Sequence, residues 1–62
     1  MDHKLYKFMR KCERKWRRYG RAKRVALHHG NSVRAVAMDK ALMTWLSRYN
    51  GAVMHLYPED YQ

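Results

Sequence analysis

The chain has 62 residues, 47% of them apolar, with three glycines and one proline, which excludes collagen-like, linker-like and disordered classes and leaves one small domain, 1–62. Fourteen Lys and Arg against five Asp and Glu give a net charge of +9, and the single cysteine, Cys12, rules out an intramolecular disulfide and any zinc site that needs two thiolates. No apolar run approaches the roughly 18–20 residues of a membrane span, and Met1-Asp2-His3-Lys4 lacks the apolar core of a secretory signal, so a cytoplasmic, reducing compartment is expected.

The charge is lopsided. Residues 1–29 hold eleven of the Lys and Arg against Asp2 and Glu13, whereas in residues 30–62 Arg34, Lys40 and Arg48 balance Asp39, Glu59 and Asp60. Such asymmetry points to a polyanionic partner more strongly than a high isoelectric point does.

The spacing predicts a first helix over about 3–29. Leu5, Phe8, Met9, Cys12, Trp16, Tyr19, Ala26 and Leu27 fall within a sector of roughly 100° at helical periodicity. Arg10, Arg14, Arg17, Arg18 and Arg21 fall opposite, flanked by Lys7, Lys11, Lys15 and Arg24. Two residues break the pattern: Gly20 costs about 1 kcal/mol against Ala and is a candidate kink, and Lys23 lies inside the apolar stripe, where its stem must snorkel.

His28-His29-Gly30-Asn31-Ser32 marks the break, with a turn expected at 30–32. Gly30 suits the left-handed position after a helix, and Asn31 or Ser32 suits the cap of the next. A second helix is expected over about 33–50, with Ala35, Met38, Leu42, Trp45, Leu46 and Tyr49 as its stripe. Asn50-Gly51 reads as its stop, leaving an apolar tail at 51–62. The short connection makes the helices antiparallel neighbours, so the fold class is all-α: a two-helix hairpin. A second helix of this length leaves roughly 12 Å of the first uncovered. Val53, Met54, Leu56 or Tyr57 is expected to fold back there on Leu5, Phe8 or Met9; a homodimer is the alternative cover, since a chain this short buries only about 60% of its unfolded surface.

Nine basic residues, Lys7, Arg10, Lys11, Arg14, Lys15, Arg17, Arg18, Arg21 and Arg24, thus form the candidate binding face. Arg predominates, and its planar fork binds two phosphate oxygens at once. The helix offers no Asn or Gln base readers, so phosphate-directed binding of nucleic acid, structured RNA, a ribonucleoprotein or DNA, is expected with little sequence preference. The alternative is a small regulator that docks the same face on an acidic protein surface; an anionic membrane surface ranks below both. Tyr6 borders the basic face as an amphipathic boundary residue or a ring for base stacking. Trp16 and Trp45 read as core, Met9 and Met38 as core filling, and Met43 as an exposed contact.

Catalysis, cofactors and metals find no support. His28 and His29 are adjacent and diverge by about 100° on a helix, and with His3, His55 and Cys12 they form no ligand spacing. No serine has a plausible His and acid partner, and there is no phosphate-cradling glycine loop. Cys12 has cationic neighbours that would activate a thiol, but its place on the stripe makes it a small buried hydrophobe. The chain is therefore read as a non-enzymatic binding protein.

Overall fold

The computed structural model describes residues 2–61. Helix α1 spans His3–His28 and helix α2 spans Ser32–Leu56; a single 3-10 turn follows at Pro58–Tyr61. The helices are about 39 and 38 Å long at 1.5 Å per residue, and the molecule measures 43 × 23 × 13 Å. It is a rod of two helices side by side, and the expected hairpin is present.

Each helix end has a local cause. Asp2 opens α1: its carboxylate accepts the Leu5 N–H at 3.1 Å, and its negative charge meets the positive end of the helix dipole. At the other end Gly30 takes φ +71°. The Gly30 N–H donates to Leu27 O at 3.1 Å and the Asn31 N–H to Ala26 O at 2.8 Å, the paired closure that a left-handed glycine permits. Asn31 then opens α2, its side chain accepting the Arg34 N–H at 3.1 Å. One residue closes the first helix with its backbone and starts the second with its side chain.

The expected stop at Asn50-Gly51 is not used. α2 continues through both residues to Leu56, and the tail at 51–62 is therefore helix for its first half. Glycine weakens a helix interior by about 1 kcal/mol, but the next turn outweighs it. Ala52 is buried, and Val53 and Leu56 are half-buried on the side facing α1. What ends α2 is Pro58. It disfavours helical geometry in the residue before it, and Tyr57 accordingly sits at φ −132°, ψ 61°. The 3-10 turn then touches α2.

The longer α2 removes the mismatch that the separate tail was to cover. Lys23 meets Asp39, Gly20 faces Leu42, and the rings of Trp16 and Tyr49 lie 5.9 Å apart. Residues 51–56 are helix rather than an extended strap.

The seam between the helices is thin. Met9, Cys12 and Ala26 of α1 and Ala35 and Ala52 of α2 are the buried apolar residues among those described, Cys12 alone without exposure. Small side chains on both helices allow close approach. Trp16, Tyr19, Met38, Leu42, Trp45, Leu46 and Tyr49 line its margins, half-buried. Lys23 does more than snorkel: its Nζ reaches Asp39 Oδ1 at 2.8 Å across the seam. Both partners keep substantial exposure, so the pair is worth at most about 1 kcal/mol, but it ties α1 to α2 at one register.

Since Gly51 lies inside a helix and a Cβ there meets nothing within 4 Å, Gly51→Ala is expected to stabilise the fold by about 0.5–1 kcal/mol. Gly30→Ala forces a side chain into a left-handed conformation and is expected to cost about 1–2 kcal/mol. Thermal melts followed by circular dichroism check both; a lower melting temperature for Gly51→Ala would restore the helix stop at that residue.

Candidate nucleic-acid interface

The seam fixes the rotation of α1, and with it the direction of every basic side chain. Lys7, Arg10, Lys11, Arg14, Arg17, Arg18, Arg21 and Arg24 are exposed, and Lys15 is half-buried. None turns into the seam. The nine are not equivalent, however, and sort into a ridge and two flanks.

Lys7, Arg14, Arg18, Arg21 and Arg24 form the ridge, centred by helical spacing on Arg14 and Arg21 opposite the seam. No carboxylate among the described side chains lies within 4.0 Å of them. On one flank Lys11 and Lys15 lean over α2. Their ammonium groups lie 5.9 Å from the Trp45 ring centroid, and the Arg48 guanidinium lies 4.7 Å from it. Three cations from two helices therefore share one indole, each contact worth about 0.5–1 kcal/mol where exposed. Trp45 is as much a platform for cations as a core residue.

On the other flank Glu13 sits between two arginines. Arg10 reaches its Oε2 at 3.1 Å and Arg17 its Oε1 at 3.2 Å. Glu13 is itself only 13% exposed while Arg17 is 64% exposed, so the carboxylate is held against the helix and the guanidinium stays outside. Spacings of three and four residues put these three side chains on one face of α1. The Arg17 guanidinium also lies 5.6 Å from the Trp16 ring centroid. Further along this flank, Arg17, Arg21 and Arg24 rim a cleft of about 350 Å³ over Trp16, Gly20 and Leu42. Sequence periodicity identified the arginines but not the cleft, which requires α2 alongside.

The remaining candidates fall as follows. Cys12 is fully buried, with no exposure. Burial pushes its thiol above the ordinary range, outweighing the opposing pull of Arg48 and Lys11. The cationic neighbours thus fail to activate it. Met9 is buried and Met43 exposed. Tyr6 lies at the border between exposed and half-buried. His28 and His29 are exposed at the end of α1, their rings 5.5 Å apart edge to face. Among the described residues no three His, Cys, Asp or Glu side chains gather into a metal-binding group, and no helix is long and apolar enough to cross a membrane.

No match to the chain is found among protein-family models, curated proteins or solved structures.

Cys12 supplies a check on the seam that this interface depends on. With its proton held more tightly in the folded state, its contribution to stability is present below the unfolded thiol's titration range and is lost as pH rises from there through the folded thiol's higher range. At pH 8 the folded thiol is expected to resist iodoacetamide and to react at least tenfold faster in denaturant. Equal alkylation rates in the two conditions would mean that the seam is open.

Proposed function

We propose that this protein is a non-enzymatic nucleic-acid-binding protein that lays α1 along the phosphates of structured RNA, a ribonucleoprotein or DNA. The observation that carries this reading is the ridge. Lys7, Arg14, Arg18, Arg21 and Arg24 stand exposed along one side of a continuous helix, with no carboxylate of the described side chains to answer them. From Lys7 to Arg24 the helix runs about 26 Å, and a duplex of that length carries roughly 15 phosphates. A helix fits the major groove of DNA, or an A-form groove opened by a bulge. Contacts are to phosphate, so sequence preference is weak.

With about five phosphates neutralised, the logarithm of affinity should fall linearly with the logarithm of salt, at a slope near −4.5. Fluorescence anisotropy on a labelled duplex measures it. Reversing Arg14, Arg18 and Arg21 to Glu leaves the seam untouched and should lower affinity at least a hundredfold with helicity retained. Tight association with a protein that survives nuclease and high salt, with no duplex binding, would instead establish docking on an acidic protein surface.

We also propose that a second copy of the chain covers the outward side of α2. The folded chain exposes 5013 Å², against about 4,300 Å² expected for a monomer of its mass. The excess of roughly 700 Å² is close to the approximately 800 Å² that one partner contributes to a standard interface. Val33, Val36, Met43 and Met54 lie along that side, all more than half exposed, with Lys40 as the charged residue among them by helical spacing. Pairing there leaves both arginine ridges facing outward and avoids their mutual repulsion. Sedimentation velocity between about 1 and 100 µM should show dimer formation, and Met43→Lys should abolish it. A wild-type chain that stays monomeric throughout overturns the pairing but not the nucleic-acid reading.

A further inference from the structure

Gly20 sits in the interior of α1, where glycine weakens a helix, and nothing about the fold requires it there. The positive φ of the chain belongs to Gly30. A Cβ on Gly20 would meet the Leu42 Cδ1 at 3.8 Å, an ordinary contact. What the missing side chain does is leave the floor of a cleft open. That cleft, about 350 Å³, has Trp16, Gly20 and Leu42 beneath and Arg17, Arg21 and Arg24 around it. The volume is at the lower end of small-ligand sites. The Arg17 guanidinium lies 5.6 Å from the Trp16 ring centroid, which ties the rim to the floor.

An apolar floor under three guanidinium groups matches a ligand that is flat and apolar at one end and anionic at the other. Duplex backbone alone supplies the anion and nothing for the floor. We propose that this cleft receives one nucleotide unit, its base seated against Trp16, Gly20 and Leu42 and its phosphate held by Arg17, Arg21 and Arg24. A base in this position stacks on or abuts the indole. Glu13 is a positioning residue here: at 3.2 Å it holds Arg17 at the rim. The inference rests on the nucleic-acid reading above and gives it a preference, for strands with an unpaired nucleotide over fully paired duplex.

The test compares one labelled duplex with the same duplex carrying a single-nucleotide bulge. The wild-type chain should bind the bulged form at least tenfold more tightly. Gly20→Leu fills the floor, keeps every cation and adds a better helix former. It should bind the paired duplex within twofold of wild type and lose the bulge preference. A wild-type chain with no preference, or a preference that survives Gly20→Leu in a chain shown helical by circular dichroism, overturns the inference. An independent readout covers a Gly20→Leu chain that fails to fold. In Trp45→Phe the remaining indole is Trp16, and its emission should change on adding bulged but not paired duplex; unchanged emission with the bulged form bound overturns the inference.

A nucleoside monophosphate added alone separates the sources. If it changes Trp16 emission at millimolar concentration, the cleft takes free nucleotide as well as nucleotide in a strand. If only the bulged strand does so, the site needs the neighbouring phosphates on the ridge. If neither duplex binds at all, the nucleic-acid reading fails, and the free-nucleotide arm alone then decides the cleft: a response supports it and silence removes it.

Discussion

The rotation of α1 about its own axis is the constraint on which this molecule depends. That rotation is set by a seam in which Met9, Cys12 and Ala26 are buried together with Ala35 and Ala52 of the partner helix. The residues are few and mostly small, so the seam contributes modest burial. Its main effect is geometric. With one side of α1 committed to α2, the arginines on the opposite side have only water to face. The Lys23–Asp39 bridge at 2.8 Å adds a polar tie, which discriminates between registers more than it stabilises.

A rod that concentrates this much positive charge works against its own compaction. The fold relieves part of the strain on the flanks and none on the ridge. Glu13 answers Arg10 and Arg17, and Trp45 offers its ring to Lys11, Lys15 and Arg48. Lys7, Arg14 and Arg18 receive nothing of the kind. Uncompensated charge in a marginally sized domain is costly, since such domains have little stability in reserve. Its persistence on one line of the helix is the physical reason to look for a polyanion as the missing partner. The outward side of α2 has the opposite character, exposed valine and methionine with little charge. The two long sides of the rod thus suit different neighbours.

Local stereochemistry was legible where one rule acted alone. The turn at Gly30 and the cap follow from backbone preferences of single residues; the turn stands where the sequence placed it, and of the two caps it offered, Asn31 and Ser32, Asn31 is used. The burial of Met9, Cys12 and Ala26 and the exposure of Met43 followed from periodicity alone, but Phe8 and Leu27, placed on the same stripe, are exposed. Gly51 was misread because two rules competed there. Glycine after asparagine favours a helix stop, but α2 runs on through both, with Ala52 buried and Val53 and Leu56 half-buried in the turn that follows. That burial needs the partner helix in place. Lys23 was read only in part for the same reason, since Asp39 lies sixteen residues away and nothing in the local pattern joins them.

The sequence by itself determined that the chain is helical, where it turns, and that one helix carries its cations on one side, because 3.6-residue periodicity and single-residue caps are local properties. Tertiary structure decided how far α2 extends, which cations lean on Trp45, and that Gly20 opens onto a cleft. Those are relations between residues far apart in the chain, and they come into being only when the two helices lie side by side.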